Sequence, residues 1–152
     1  LVEEKIVEEI KRYLPAGKPV FTLQTRYRRL RSFAGHVIEL KHQKVGVVCA
    51  LGNPHQFEAF FKKYFPDVVT VRFFFRDHHH YTAADIGFLE SEIKRQNLDY
   101  FVTTEKDEAK IRKYAARPQS WAALDIETQI MEEEAWKEYW DRKLNELVGK
   151  GH

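Results

Sequence analysis

Along residues 1–14, Val2, Ile6, Ile10 and Tyr13/Leu14 recur at three- and four-residue spacings with Glu and Lys between them, the pattern of an amphipathic helix. Pro15-Ala16-Gly17-Lys18-Pro19 ends it. Val20 to Tyr27 alternates, with Phe21, Leu23 and Thr25 on one side, and predicts a strand; His36 to Leu40 predicts a short one at a sheet edge. Lys44 to Leu51 is a nearly continuous apolar run, as expected of a strand buried on both faces of a parallel sheet. Asn53 is a good N-cap and Pro54 suits a first helical position, so a helix starts there with Phe57, Phe60, Phe61 and Tyr64 on its buried side.

The alternation of periods then repeats. Val68 to Phe75, rich in β-branched and aromatic residues, predicts a strand. Thr82 and Asp85 are placed to cap a helix whose stripe is Ile86, Leu89 and Ile93. Asp99 to Thr103 predicts another strand, and Thr104-Glu105-Lys106-Asp107 opens a helix with Ala109 and Ile111 inward. Leu124, Ile126, Thr128 and Ile130 alternate as a last strand. Trp136, Trp140, Leu144 and Leu147 stripe a final helix, where paired tryptophans serve core or interface packing. Strands alternating with helices imply right-handed crossovers and an α/β, Rossmann-like three-layer domain: a mostly parallel sheet flanked by helices. The expectation is one domain over residues 1–148 and a disordered tail at Gly149–His152.

Composition changes this picture little. A chain of 152 residues that is 43% hydrophobic and 14% aromatic can bury a core of ordinary size. Lys plus Arg (25) nearly balance Asp plus Glu (23), so no strong polyanion field exists. Nucleic-acid binding is supported by nothing beyond the Arg26, Arg28, Arg29, Arg31 cluster, read as a solvated strand end or as a phosphate- or membrane-facing patch. The one cysteine, Cys49, lies in an apolar run and reads as a small core residue; the absence of a disulfide framework suits a reducing compartment. No apolar stretch approaches the roughly 20 residues of a spanning helix, and no signal-peptide pattern opens the chain. The start at Leu1 without Met suggests a fragment.

Chemistry concentrates in Phe75-Arg76-Asp77-His78-His79-His80-Tyr81-Thr82. Imidazole serves as acid, base or metal ligand near neutral pH, though a histidine-rich loop is also an ordinary solvated connection. Ligands of open α/β sheets bind outside the carboxyl ends of the strands. Three loops converge there: Leu51-Gly52-Asn53-Pro54, Arg76 to Tyr81, and Thr103 to Asp107. Each leads into a helix N-terminus, where free N–H groups favour anions such as phosphate.

Gly52-Asn53-Pro54 with Phe57, Asp77-His78-His79 with Tyr81-Thr82, and Thr103-Thr104-Glu105-Lys106-Asp107, in that order and spacing over roughly residues 1 to 130, resemble the C-terminal half of the tetraacyldisaccharide 4'-kinases. That resemblance implies a P-loop-like kinase of lipid A biosynthesis, peripheral to the cytoplasmic face of the bacterial inner membrane. Such an enzyme moves the γ-phosphate of ATP to the 4'-hydroxyl of an acylated disaccharide 1-phosphate. It implies that His78 pairs with an Asp of the other half as the base for the sugar hydroxyl, with Asp77 orienting His78 or its loop and His79 and His80 standing behind them. Gly52, Asn53, His79, Thr104 and Lys106 would lie near substrate or phosphate; Lys106 meets a phosphate or, as the preferred expectation, pairs with Glu105 or Asp107. The family has Pro where Arg76 stands and often Pro where His80 stands, which makes this loop less rigid.

No Gly-x-x-x-x-Gly-Lys-Ser/Thr occurs in the sequence. By the resemblance, ATP and Mg²⁺ belong mainly to an N-terminal P-loop half that is absent here, so the isolated chain is expected to be inactive and to hold no cofactor. Two rival readings remain. Asp-His-His also occurs in metal-dependent phosphoesterases, which need further Asp and His clusters to hold two metals; the chain offers only scattered Asp, so no metal site is expected. A non-catalytic interaction domain is the other.

Overall fold

The computed structural model describes residues 2–148. Its elements run α1 (Val2–Tyr13), β1 (Leu23–Ser32), β2 (Lys44–Cys49), α2 (Pro54–Tyr64), β3 (Val69–Phe74), α3 (Ala83–Gln96), β4 (Tyr100–Thr104), α4 (Glu105–Ile111), β5 (Trp121–Ile130) and α5 (Glu133–Val148). The five strands form one sheet in the order β1-β5-β4-β2-β3. β2 pairs in parallel with β3 and β4, and β4 in parallel with β5. The Phe33 N–H donates to the Trp121 carbonyl at 2.9 Å, joining the end of β1 to the start of β5, so that edge strand runs antiparallel. The fold is α/β, a mostly parallel sheet flanked by helices.

The chain divides into two compact units, residues 27–127 and the described parts of residues 1–26 with 128–152. In the larger unit, strand residues alternate between two cores. Val48, Ala50, Phe101, Trp121 and Ala123 face one side with Ile86 and Leu89 of α3 and Ile111 of α4. Val45, Val47, Val102, Ala122 and Leu124 face the other with Phe61 of α2. Period-two alternation with both sets buried is why β2 reads as an unbroken apolar run. Glu58 of α2 ties down the edge strand β3, accepting from the Thr70 hydroxyl at 3.1 Å and Arg72 at 2.8 Å.

Three local expectations are corrected. Residues 36–40 form no strand; Val37 makes one isolated antiparallel bridge to Arg31. The arginine cluster lies within β1 and is solvated only in part: Arg26 and Arg28 are exposed, whereas Arg29 and Arg31 reach Asp125 at 2.7 and 3.0 Å, and Arg31 also forks onto Glu108 at 2.6 and 2.8 Å. In α4 the inward residues are Asp107, Glu108 and Ile111, while Ala109 is exposed. Ion pairing lets carboxylates take inward positions that an apolar stripe would otherwise hold.

In the smaller unit, Phe21 packs edge-on against Trp136 at 5.0 Å and near Tyr139 at 5.8 Å, and Trp136 meets Trp140 at 5.4 Å. Glu132 accepts the Thr22 N–H at 2.8 Å. Ile6, Ile10 and Tyr13 of α1 are exposed, as are Trp140, Leu144 and Leu147 of α5. The expected tail at 149–152 lies outside the described residues.

Candidate functional site

The three loops leave the carboxyl ends of β2, β3 and β4, adjacent strands of the larger unit. Their helices start where side-chain chemistry dictates. The Asn53 side chain accepts the Gln56 N–H at 3.2 Å, with Pro54 in the first turn. Thr82 and Asp85 cap α3 reciprocally: Asp85 N–H donates to the Thr82 hydroxyl at 3.2 Å, and Thr82 N–H to the Asp85 carboxylate at 2.8 Å. The Thr104 hydroxyl accepts the Asp107 N–H at 3.1 Å. Asn53 and Thr104 are thereby committed as caps.

The histidine loop is held at both ends. At its entry, the Asp77 carboxylate accepts the His78 N–H at 2.9 Å. Asp77 also crowds Gly52, where an added Cβ would lie 3.2 Å from its Oδ2; a side chain at position 52 would push this carboxylate away. At its exit, His79 stacks on Phe75 at 4.7 Å and meets Tyr81 edge-on at 5.3 Å. His79 Nε2 lies 3.1 Å from Asp85 Oδ2. The Thr82 backbone and hydroxyl, with His79, hold the Asp85 carboxyl below its usual range.

Between these fixed points His78 takes φ = 57°, the left-handed region. A histidine there is uncommon, and such strain persists only when surrounding structure imposes it; it collects at functional sites. The imidazole projects outward, 74% exposed, with Nε2 3.7 Å from Asp77 Oδ2. His80 is also exposed.

Behind the loop, buried Asp107 accepts the Ala50 N–H at 2.9 Å, tying α4 to the end of β2. Its ion-pair partner is Lys110 at 3.1 Å, which corrects the expected pairing with Lys106. Lys110 lies one helical turn on and shares a face with Asp107; Lys106 is exposed and in no ion pair among the described residues. The Tyr81 and Thr103 hydroxyls are buried without a hydrogen-bond partner among the described residues. Burial pushes the Tyr81 phenol up, with Asp107, Cys49 and Asp85 adding to the effect. Burial likewise drives the Cys49 thiol to about 12, so it is a core residue and not a nucleophile at neutral pH.

Sequence reasoning passed over Lys110, Lys113 and Tyr114, which with His80, Tyr81 and Thr82 line a cleft beside the loop. Their only signal was the helical spacing of the two lysines. Among the described residues, no group of three or more His, Cys, Asp or Glu could hold a metal ion.

A family model described as tetraacyldisaccharide-1-P 4'-kinase matches residues 2–145. This chain belongs to that family. A tetraacyldisaccharide 4'-kinase of Bdellovibrio bacteriovorus is 33% identical over 116 residues, 74% of this chain and 34% of the relative. One from Rhodopseudomonas palustris is 39% identical over 88 residues, 58% of this chain and 25% of the relative. The chain thus spans about a third or less of the length of these curated kinases. The crystal structure of the "apo" form of LpxK from Aquifex aeolicus in complex with ATP matches with a TM-score of 0.52 at 21% identity. That match covers 90% of this chain and 44% of the other, and it shows that the kinase-family fold is shared.

Proposed function

We propose that this chain is the C-terminal part of a tetraacyldisaccharide 4'-kinase and carries its catalytic histidine loop. The enzyme transfers the γ-phosphate of ATP to the 4'-hydroxyl of an acylated disaccharide 1-phosphate in lipid A biosynthesis. The observation that carries the reading is His78, an exposed imidazole held at positive φ between two anchored ends at the carboxyl edge of the sheet. Family membership supplies the reaction class.

In this reading the neutral His78 imidazole accepts the proton of the 4'-hydroxyl as its oxygen attacks the γ-phosphorus. The bond from phosphorus to the bridging oxygen breaks, and ADP leaves. General-base catalysis needs an acceptor within hydrogen-bond reach of the proton it takes, and the exposed His78 ring is open to a substrate hydroxyl. Asp77 is a positioning residue: by holding the His78 N–H it fixes where the ring emerges. Mg²⁺ neutralises phosphate charge in such reactions. By the family resemblance, ATP and Mg²⁺ are assigned mainly to the P-loop half of the same enzyme. The acylated substrate calls for a peripheral position on the cytoplasmic face of the inner membrane; no described helix is long and apolar enough to cross it.

The test is His78→Ala in the full-length protein carrying this chain. Phosphorylation of the lipid disaccharide should fall at least about a hundredfold with the circular dichroism spectrum preserved. An undiminished rate removes His78 from the reaction.

A further inference from the structure

Two residues beyond His78 the chain enters a cleft of about 410 Å³, with His80, Tyr81 and Thr82 on one wall and Lys110, Lys113 and Tyr114 on the other. Small-ligand sites run from roughly 300 to 1,000 Å³ and combine an apolar or aromatic lining with a few convergent polar groups. Among the described residues, no carboxylate lines this one. The nearby acids are already engaged: Asp85 by Thr82 and His79, and Asp107 by Ala50 and Lys110. Lys113 has no ion pair among the described residues, and its Nζ rests 4.7 Å from the centre of the Tyr114 ring. The cleft therefore presents an uncompensated ammonium, a second lysine and an imidazole around a partly exposed aromatic ring. That set suits a phosphate carried on a sugar: the Lys113 ammonium meets the oxyanion and the ring offers a flat apolar face.

We propose that this cleft binds the phosphate of a sugar 1-phosphate, and that it seats the acceptor's 1-phosphate while the histidine loop addresses the hydroxyl to be phosphorylated. The second clause rests on the kinase reading.

Steady-state kinetics on the full-length protein test both. Lys113→Glu reverses the free charge. Ala109→Phe fills the cleft from an exposed position on α4 that also lines it. Each is expected to raise KM for the disaccharide 1-phosphate roughly tenfold, with kcat changed far less. Lys94→Glu, an exposed charge reversal on α3 outside the cleft, leaves both parameters as they were. If KM is unmoved by both cleft variants while His78→Ala abolishes turnover, the cleft inference fails and the kinase reading stands. If the wild type shows no kinase turnover, calorimetric titration with glucose 1-phosphate, inorganic phosphate and phosphatidylglycerol vesicles reads the cleft by itself. Glucose 1-phosphate binding that Lys113→Glu abolishes supports it. Binding no stronger than that of inorganic phosphate, binding to vesicles alone, or no binding overturns it.

Discussion

The Asp107 carboxylate, fully buried at the start of α4, accepts the backbone N–H of Ala50 at 2.9 Å just past the end of β2. Two of the three converging loops are thus joined by one hydrogen bond across 57 residues of sequence. Removing the carboxylate strands the Ala50 N–H and leaves the Lys110 ammonium without its partner. Asp107→Ala should cost about 3 kcal/mol of stability, read as a fall in the denaturation midpoint. Asp107→Asn keeps an acceptor for Ala50 and should lose less than half as much. Equal losses would show that charge, and not the hydrogen bond, is what matters at this position.

The central strands and helix starts were legible because each has a local cause. Val45 to Cys49 is apolar because both faces are covered, and Asn53-Pro54 and Thr82 with Asp85 carry their capping chemistry within four residues. β1 was legible only in part, since its arginines find Asp125 and Glu108 at separations of 94 and 77 residues. Long-range ion pairing leaves no periodic trace. The same blindness put Ala109 inward in α4, where paired carboxylates sit instead. Of the candidate site, the meeting of the loops followed from topology, whereas the left-handed conformation of His78 and the lysine-lined cleft depend on three-dimensional surroundings.

Gly46 in β2 offers a packing test independent of the site. A Cβ there would lie 2.4 Å from two ring carbons of Phe101 and 3.1 Å from Phe73. The Phe101 ring cannot swing aside, being wedged edge-on against Phe73 at 5.4 Å and against Trp121 at 4.7 Å. Gly46→Ala should therefore destabilise by about 2 kcal/mol despite adding only a methyl group. Pairing it with Phe101→Leu should recover part of the loss in a double-mutant cycle; strict additivity would mean the two positions do not collide.

Glu108 and Asp125 share Arg31, and they set a pH dependence. Burial acts to raise both carboxyls, but hydrogen bonds from Arg31 and Arg112 on Glu108, and from Arg29 and Arg31 on Asp125, outweigh it. Both titrate below their ordinary values of 4.5 and 3.8. A carboxyl depressed in the folded state contributes stability that is fully present above its unfolded pKa and is lost as pH falls through the folded one. The melting temperature should therefore hold steady down to about pH 5 and drop as the pH falls below the carboxylate range. Glu108→Gln should lower stability at neutral pH by about 2 kcal/mol and flatten that acid limb. A variant whose acid limb matches the wild type would assign the pH dependence to other groups.

If His78 is the proposed base, substitutions there should separate stability from activity. Holding a histidine at φ = 57° costs on the order of 1 kcal/mol, a penalty that glycine escapes and alanine does not. Glycine also loses more entropy on folding, which offsets part of the relief. His78→Gly should accordingly be at least as stable as the wild type and more stable than His78→Ala by about 1 kcal/mol. Both variants lack the imidazole and should lose lipid phosphorylation alike. Paired thermal melts and single-turnover assays on the two full-length variants decide the matter. Matching stabilities for Gly and Ala would mean the loop relaxes out of the left-handed conformation when the ring is absent. Retained turnover in either would mean the strain serves something other than proton transfer.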